Sequence, residues 1–361
     1  NMKKIYLGLL SLIFSLNIGA VEKSLSTREM IGQLLVVGFG TEQKEIVKER
    51  LREGKIGGVV LYAKEVESPR QLTELTGELL EAGKSGQSEG QDHRRQTPFI
   101  MLDQEGGFVR RLTEKKGFTR AGSVPSAKKM KFFSEGEVMR FYEEMAQELK
   151  ECGVNFNLGP VVDLDINPRS PAIGHYERSY GRDVDGVVQM ASLFIEAHRS
   201  QGVLTSLKHF PGHGSAAVDS HFGFVDITET ARCVEELFPY NFLAARGMVD
   251  SVMTAHVFNR ELDGHYPATL SKETLQKIRE LSGGEDIAIV SDDLKMAGLG
   301  RYGSVEERAV LAMKAGVDIL LFASLGDGDL KKVISLIEGE VSFDRIKESY
   351  ERVQKLKNKL N

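Results

Sequence analysis

The amino-acid sequence predicts an α/β fold, a single (β/α)8 barrel of the TIM type, and three observations predict it. Eight short apolar runs rich in β-branched residues recur along the chain, which is typical of parallel strands buried on both faces. Amphipathic segments with charged outer faces lie between these runs, as expected of helices that cover a barrel. No Gly-rich dinucleotide-binding loop follows the first run, which lowers the main alternative, a doubly wound open sheet.

The predicted strands are apolar runs of five to nine residues. In chain order they are Leu34–Gly38, Gly58–Tyr62, Phe99–Asp103, Val154–Val162, Leu204–His209, Ser251–His256, Ile287–Asp293 and Val317–Ala323. The predicted helices have apolar residues at helical spacing, which gives each one buried and one charged face. In chain order they are Glu42–Glu53, Pro69–Ala82, Glu135–Glu151, Val184–Ser200, Glu229–Arg246, Lys272–Leu281, Val305–Ala315 and two closing helices, Asp329–Ile337 and Phe343–Leu360. A polar Gly/Ser/Gln-rich stretch, residues 83–96, is predicted to be a surface insertion before the third strand.

Composition excludes several classes of protein. The 361 residues are 41% hydrophobic and 27% charged, which is ordinary for a folded chain and excludes a mainly disordered or coiled-coil one. The chain has 47 basic and 52 acidic residues, a formal charge of −5, which argues against nucleic acid as a partner because phosphate binding needs a basic surface. Two cysteines, Cys152 and Cys233, cannot form a disulfide framework or a Cys-only zinc site.

The first residues have the pattern of a secretory leader. A basic pair, Lys3–Lys4, precedes an uncharged apolar run, Ile5–Ile18, and the small residues Gly19–Ala20 follow. The run is shorter than the roughly 20 residues that a membrane-spanning helix needs. We therefore expect a signal peptide or N-terminal leader over residues 1–21 and the barrel domain over residues 22–361. The alternative is an ordinary amphipathic first helix.

Polar residues end five of the predicted strands. Active sites of such barrels lie at the C-terminal ends of the strands, and unpaired polar groups there would be costly to bury. Any one of them alone is more often a satisfied structural residue than a catalyst. The strand-end residues are Asp103, Asp163, Lys208, His209, His256, Asp292 and Asp293.

The segment after the fifth strand is the densest in candidate catalytic groups. Lys208–Gly214 (KHFPGHG) leads directly into a loop, because its Pro and Gly residues interrupt regular structure. Asp219 and His221 follow two residues apart, so the carboxylate could orient the imidazole and raise its basicity, as a general acid/base requires. The alternative is that His221 is only a polar loop residue. The local sequence leaves Asp292 open as a nucleophile, a metal ligand or a structural acceptor.

Several motifs, in this order, resemble one family. They are Leu102–Gly107 (LDQEGG), Asn155–Asp163, Glu177–Gly181, Lys208–Gly214 with Asp219–His221, Met253–His256, Pro267–Ser271 and Ser291–Leu294 (SDDL). Together they resemble the β-N-acetylglucosaminidase branch of glycoside hydrolase family 3, over about residues 25–325. The KHFPGHG element with its Asp-Ser-His is the most specific of them.

The resemblance implies a retaining exo-hydrolase that acts on terminal β-linked N-acetylglucosamine (GlcNAc), in peptidoglycan fragments where GlcNAc is joined to 1,6-anhydro-N-acetylmuramic acid. It implies that Asp292 is the nucleophile and that Asp219 and His221 are the acid/base dyad. The residues implied to hold the terminal sugar are Asp103, Arg111, Arg178, Lys208 and His209. No cofactor or metal is expected. We expect a small carbohydrate or muropeptide substrate, no nucleic-acid partner, no stable membrane span and a monomer.

The sequence departs from the family pattern at three places. Phe108 stands where many relatives have Arg, Phe222–Ile227 replaces the usual Leu-Pro ending of the dyad segment, and residues 83–96 are extra. The leader favours a periplasmic or exported protein, since wall fragments could be trimmed there before uptake; the alternative is a cytoplasmic recycling enzyme.

Three rival functions stay open at this point. The first is a metal-dependent barrel hydrolase, with ligands drawn from His209, His213, His256 and Asp292. The second is a non-catalytic protein that binds muropeptides, which the presence of Asp292, Asp219 and His221 disfavours. The third is a β-glucosidase of the same family.

Overall fold

The computed structural model describes residues 25–85 and 97–360, and the strands in this part of the chain form a closed barrel. In chain order the strands are β1 Leu35–Val37, β2 Gly58–Leu61, β3 Phe99–Leu102, β4 Phe156–Asn157, β5 Leu204–Phe210, β6 Val225–Asp226, β7 Ser251–Thr254, β8 Val257–Phe258, β9 Ala288–Val290 and β10 Leu320–Phe322. Eight of them pair in the order β10-β1-β2-β3-β4-β5-β7-β9. All seven pairings are parallel, and a parallel bridge between Val290 and Ile319 closes the ring. The predicted (β/α)8 fold is therefore confirmed.

Helices surround the barrel. In chain order they are α1 Thr27–Gln33, α2 Lys44–Arg52, α3 Pro69–Ser85, α4 Glu135–Glu151, α5 Val184–Ser200, α6 Cys233–Ala245, α7 Lys272–Arg279, α8 Val305–Ala315, α9 Asp327–Glu340 and α10 Phe343–Asn358. All the predicted helices are present, and α4, α5 and α8 have the predicted bounds. Across residues 25–85 and 97–360, none of the helices has the length and apolarity needed to span a membrane.

The strands are buried along their whole length, because helices cover the outside and side chains fill the inside of the barrel. This explains why they appear in the sequence as continuous apolar runs rather than as alternating patterns. It also means that a polar side chain at a strand end is held by neighbouring groups rather than by bulk water.

Some predicted bounds were wrong. The fourth strand was expected over Val154–Val162, but regular pairing stops at Asn157, because the backbone turns at Gly159 and Pro160 has no N–H to donate to a neighbouring strand. The insertion was expected from residue 83, but α3 continues through Ser85; residues 86–96 lie outside the described part of the chain. The leader, residues 1–21, also lies outside it.

Helix α1 was not predicted. Its seven residues are too few to give a helical period in the sequence, and a capping box made by Ser26 and Glu29 defines its start. A second small sheet, β6 paired with β8, lies beside the barrel mouth. Strand β6 formed where the sequence departs from the family pattern at Phe222–Ile227.

Candidate active site

The predicted site residues lie at the C-terminal ends of the barrel strands. Asp103 follows β3 and Asp292 follows β9. Lys208 and His209 lie near the C-terminal end of β5. Arg111 and Arg178 come from the loops after β3 and β4. Asp219 and His221 belong to the loop between β5 and β6, residues 211–224, which we call the dyad loop.

Lys208 is the centre of a buried charge cluster. Its side chain is 1% exposed, and its Nζ donates to Asp103 Oδ1 at 2.8 Å and contacts Glu105 Oε1 at 2.7 Å. Asp103 Oδ2 accepts from Arg111 Nη2 at 2.8 Å. Glu105 accepts two hydrogen bonds from Arg178, at 2.8 and 2.9 Å. These five residues, Asp103, Glu105, Arg111, Arg178 and Lys208, are the mouth cluster.

The electrostatics of the mouth cluster favour charged carboxylates. Burial alone would raise the pKa of Asp103, but Lys208 and Arg111 outweigh it and hold that pKa well below its usual range. Burial likewise opposes ionisation of Glu105, but the charges of Arg178 and Lys208 outweigh it and lower the pKa of Glu105 to about 2. Three cations thus surround two anions. Arg111 Nε is buried and makes no hydrogen bond to the described residues.

His209 is oriented by Asp163. Its Nδ1 lies 2.7 Å from Asp163 Oδ2, and its Nε2 lies 3.4 Å from Arg178 Nη2. Because a carboxylate accepts and a guanidinium donates, Nδ1 carries the proton and Nε2 is the acceptor. Asp163 Oδ1 also accepts from the backbone N–H of His213, at 2.7 Å. Asp163 therefore fixes both the ring of His209 and the start of the dyad loop.

Asp219 and His221 form the predicted pair. Asp219 Oδ1 lies 2.7 Å from His221 Nδ1 and accepts from the His221 backbone N–H at 2.9 Å. The His221 side chain is 61% exposed, so its other ring nitrogen is accessible from the barrel mouth. Burial would raise the pKa of Asp219, but the hydrogen bonds from His221 lower it. A charged carboxylate behind an accessible imidazole is the arrangement that an acid/base pair needs.

The two consecutive acids after β9 differ in their surroundings. Asp293 Oδ1 accepts from the backbone N–H groups of Lys295 and Ala323, so Asp293 has a structural role. Asp292 Oδ1 accepts from the Asp293 N–H at 2.7 Å, and its side chain is half-buried. Burial would raise the pKa of Asp292, but nearby histidines, His256 first and His221 among them, lower it. Asp292 is therefore the ionised, reachable carboxylate of the pair.

His256 stabilises the backbone beside Asp292. Its Nε2 lies 2.9 Å from the Asp293 carbonyl oxygen, and its Nδ1 lies 2.7 Å from Thr269 Oγ1. A carbonyl can only accept, so Nε2 carries a proton, while Thr269 Oγ1 also donates to the Ala255 carbonyl at 3.0 Å. Burial lowers the pKa of His256, and the charge of Asp292 opposes that shift. His256 thus holds the Asp293 peptide and is not placed as an acid/base.

The ring nitrogens named for the zinc rival are hydrogen-bonded to protein groups, apart from His213 Nδ1. His209 and His256 use both ring nitrogens in hydrogen bonds, and His213 Nε2 contacts Ser220 Oγ at 3.2 Å. Over residues 25–85 and 97–360, no three His, Cys, Asp or Glu side chains are grouped so as to hold a metal ion.

Aromatic residues at two of the departures from the family pattern pack on neighbouring side chains. Phe108 is 65% exposed and packs edge-to-face on Tyr176, with ring centroids 6.4 Å apart. At the end of the dyad loop the Phe224 ring contacts Phe258, and the Arg301 guanidinium lies 3.7 Å from the Phe224 ring centroid. The altered ending therefore packs on the barrel and leaves the Asp219–His221 pair intact.

Comparison with known proteins identifies the family. A model described as the glycosyl hydrolase family 3 N-terminal domain matches residues 26–356. The chain belongs to glycoside hydrolase family 3. It is 31% identical over 306 residues to a β-hexosaminidase from Methylobacillus flagellatus, with 82% of each chain covered. It is 28% identical over 394 residues to β-hexosaminidase A from Pseudoalteromonas piscicida, covering 97% of this chain and 64% of that one.

A solved structure of a family 3 β-N-acetylglucosaminidase from a Paenibacillus species superposes with a TM-score of 0.81 at 28% identity. The match covers 93% of this chain and 63% of that one. The chain thus spans under two thirds of the length of this protein and of the Pseudoalteromonas relative.

Sequence reasoning missed three residues that organise this family 3 site. Glu105 was not among the predicted site residues, although it lies two residues after Asp103 in the same LDQEGG motif. Asp163 was noted at a strand end but was not given its role toward His209. Gln104 is buried, and its Oε1 accepts from the backbone N–H groups of Arg111 and Leu112. The motif spacing was the available signal in each case, since every one of these groups belongs to one of the family motifs.

Proposed function

We propose that the chain is a retaining exo-β-N-acetylglucosaminidase that removes terminal, non-reducing β-linked GlcNAc. The observation that carries this proposal is a half-buried Asp292 and an accessible Asp219–His221 pair on loops at the same end of the barrel. The names of the relatives, β-hexosaminidase and β-N-acetylglucosaminidase, support the sugar class.

The reaction would have two steps. In the first, an Asp292 carboxylate oxygen bonds to the anomeric carbon as the glycosidic C–O bond breaks, and His221 protonates the leaving oxygen. In the second, His221 takes a proton from water as that water attacks the anomeric carbon and displaces Asp292. Two inversions at one carbon give net retention. Asp219 stabilises the imidazolium form of His221 through the 2.7 Å contact at Nδ1.

The mouth cluster and His209 would hold the terminal sugar. Arg111, Arg178 and Lys208 supply charged donors for hydroxyl and N-acetyl oxygens, and Asp103 supplies an acceptor. Because Lys208 is held by two ion pairs and Arg178 by one to Glu105, little side-chain freedom is lost when the sugar binds.

For the natural substrate we propose peptidoglycan fragments that carry GlcNAc on 1,6-anhydro-N-acetylmuramic acid, cleaved in the periplasm or outside the cell. The family resemblance and the leader pattern support this assignment. Mass spectrometry of products from muropeptides and from chitobiose, compared at equal concentration, tests it. A higher kcat/KM on chitobiose would contradict it.

Trapping the covalent intermediate tests the mechanism. A 5-fluoro analogue of an activated β-GlcNAc glycoside should add the mass of one sugar to the intact chain, and peptide mapping should find the label on Asp292. No adduct, or a label on another residue, would overturn the assignment. Aryl β-GlcNAc and aryl β-glucoside, assayed side by side, decide the β-glucosidase alternative: faster turnover of the glucoside would favour it.

A further inference from the structure

Ser220 lies between the two dyad residues and differs from its neighbours in burial. It is 3% exposed, whereas Asp219 is half-buried and His221 and Phe222 are exposed. In the stretch 217–224, all of which the structure describes, Ser220 is the one buried residue. The dyad loop is therefore held to the protein at this residue while its two chemical groups face outward.

Two hydrogen bonds hold Ser220. Its Oγ lies 3.2 Å from His213 Nε2, and the His213 backbone is in turn bonded to Asp163. Its carbonyl oxygen accepts from the Gly298 N–H at 2.8 Å. Gly298 belongs to the turn Ala297–Leu299, which follows Asp292 by a few residues. One residue thus contacts both the start of the dyad loop and the loop that carries Asp292.

The contact with Gly298 is close because glycine has no side chain. A Cβ at residue 298 would lie 3.0 Å from the Ser220 carbonyl oxygen and 3.2 Å from Cβ of both Ser220 and His256. His256 in turn bonds the Asp293 carbonyl. Gly298 therefore lies closely against both Ser220 and His256, the residue that holds the backbone beside Asp292.

We propose that Ser220 is a positioning residue that joins the dyad loop to the Asp292 loop and so sets the distance from His221 to the bond being cleaved. The inference rests on the proposed function, in which His221 is the acid and Asp292 the nucleophile. Proton transfer requires the donor within hydrogen-bond reach of the leaving oxygen, and a misplacement of about 1 Å can cost about 100-fold in rate. Nothing in this role requires Ser220 to touch the substrate.

The test compares Ser220→Ala with Ser215→Ala in the full chain. Ser215 is a matched control, because it is also a buried serine of the dyad loop but contacts Thr230 Oγ1, at 3.3 Å. Two substrates show whether acid catalysis is affected. The phenolate of phenyl β-GlcNAc is a poor leaving group that needs protonation, whereas the dinitrophenolate of 2,4-dinitrophenyl β-GlcNAc leaves without it. Ser220→Ala should lower kcat/KM about tenfold or more for the phenyl glycoside and less than about threefold for the dinitrophenyl one. Ser215→Ala should leave both unchanged.

Gly298→Ala offers a second variant that leaves Ser220 in place. Its added Cβ presses on the Ser220 carbonyl, so the same selective loss on the phenyl glycoside is expected. An equal loss on both substrates, with a lowered Tm, would mean that Ser220 is only structural and would overturn the proposal. Behaviour of Ser220→Ala identical to Ser215→Ala would overturn it as well.

The outcome remains separable from failure of the proposed function. If the unmodified chain cleaves neither aryl glycoside, the function is wrong, and hydrogen exchange then decides whether Ser220 joins the two loops. Peptides covering 217–224 and 293–300 should both exchange faster in Gly298→Ala, which disturbs the hydrogen bond between the two loops, than in Ser215→Ala. Equal exchange in the two variants would contradict the joining of the loops.

Discussion

Two buried clusters of charge lie at opposite ends of the barrel, and they differ in what their donors do. The mouth cluster is at the C-terminal ends of the strands. The second, which we call the floor cluster, surrounds Asp318 just before β10. Its members are Asp318, Arg279, Arg345 and Arg352, with N···O distances of 2.8, 3.0 and 3.4 Å from the three guanidinium groups to the carboxylate.

In the floor cluster the arginines are also bonded to backbone carbonyls. Arg279 donates to the carbonyls of Gly284 and Ile287, and Arg345 to those of Met313 and Val317. The mouth cluster instead keeps Arg111 Nε without a partner among the described residues. Burial and charge are common to both clusters. What distinguishes the mouth cluster is one guanidinium nitrogen that the described residues leave without a hydrogen bond.

The largest effect is expected at the mouth. Asp292→Asn keeps the shape of the side chain but removes the nucleophile, so we expect kcat to fall by about 10⁴-fold or more, with Tm unchanged. Steady-state kinetics on an aryl β-GlcNAc measure kcat, and thermal melts measure Tm. Asp286→Asn, an exposed carboxylate paired with Lys355, is the control and should leave both unchanged. Substantial residual turnover would move the nucleophile elsewhere.

A substitution in the floor cluster should change stability and leave the activity unchanged. Asp318→Asn removes the buried carboxylate that the three guanidinium groups share. Arg345 and Arg352 keep Glu348 as a partner, but Arg279 loses its counter-charge, which should cost about 3–5 kcal/mol of unfolding free energy. The kcat per folded molecule should not change. Urea unfolding measures the loss, with Asp327→Asn, an exposed partner of Arg50, as the control.

A milder variant covers the case in which Asp318→Asn does not fold. Ser349→Ala removes one 2.7 Å hydrogen bond to Asp318 Oδ1 and should cost about 1 kcal/mol. If either floor variant lowered kcat while its stability stayed unchanged, the division of roles between the two clusters would be wrong.

The difference between the clusters also explains what the sequence could predict. Strand-end positions follow from apolar runs, so the amino-acid pattern alone places Asp103, Lys208 and Asp292 at the mouth. Asp219 and His221 could be paired because they are two residues apart. These predictions used only local spacing, which a barrel of parallel strands preserves.

The partners across the barrel could not be predicted in this way. Glu105 and Arg178 are 73 residues apart, and Asp163 and His209 are 46 apart. Which acid meets which base depends on strand order and loop path, and several pairings satisfy the same sequence pattern. The floor cluster was missed for the same reason, since Asp318 lies inside a run that predicts only a strand.

His221→Ala should have a smaller effect that depends on the leaving group. Loss of the acid should lower kcat/KM about 100-fold or more for phenyl β-GlcNAc and far less for the dinitrophenyl glycoside. With the dinitrophenyl glycoside, kcat should become limited by deglycosylation, and azide, which needs no base, should restore it. His265→Ala, an exposed histidine, is the control. Equal losses on both glycosides and no effect of azide would make His221 structural.

The smallest effect is expected at Glu236. This buried acid lacks an ion-paired cation of the kind found in the two clusters. The Glu236 carboxylate lies against Gly212 of the dyad loop, where a Cβ would collide with Oε1. Burial first, and then the charges of Asp163 and Glu235, raise the pKa of Glu236 to about 7, against the hydrogen bond from the Arg232 N–H. Oε1 has no hydrogen-bond partner in the described structure. The neutral form is therefore the one that suits the fold.

A raised pKa gives stability that is complete below the unfolded value of 4.5 and is lost as the pH rises through about 7. Glu236→Gln cannot ionise, so it should match the unmodified chain near pH 4 and exceed its unfolding free energy at pH 8, by about 1–3 kcal/mol. Urea unfolding across this range measures the difference. Glu235→Gln, on the exposed side of the same helix turn, should give no such difference in unfolding free energy at pH 8. If Glu236→Gln is instead less stable at pH 8, the Glu236 carboxylate is compensated in the fold, and the contrast with the cation-paired acids of the two clusters no longer holds.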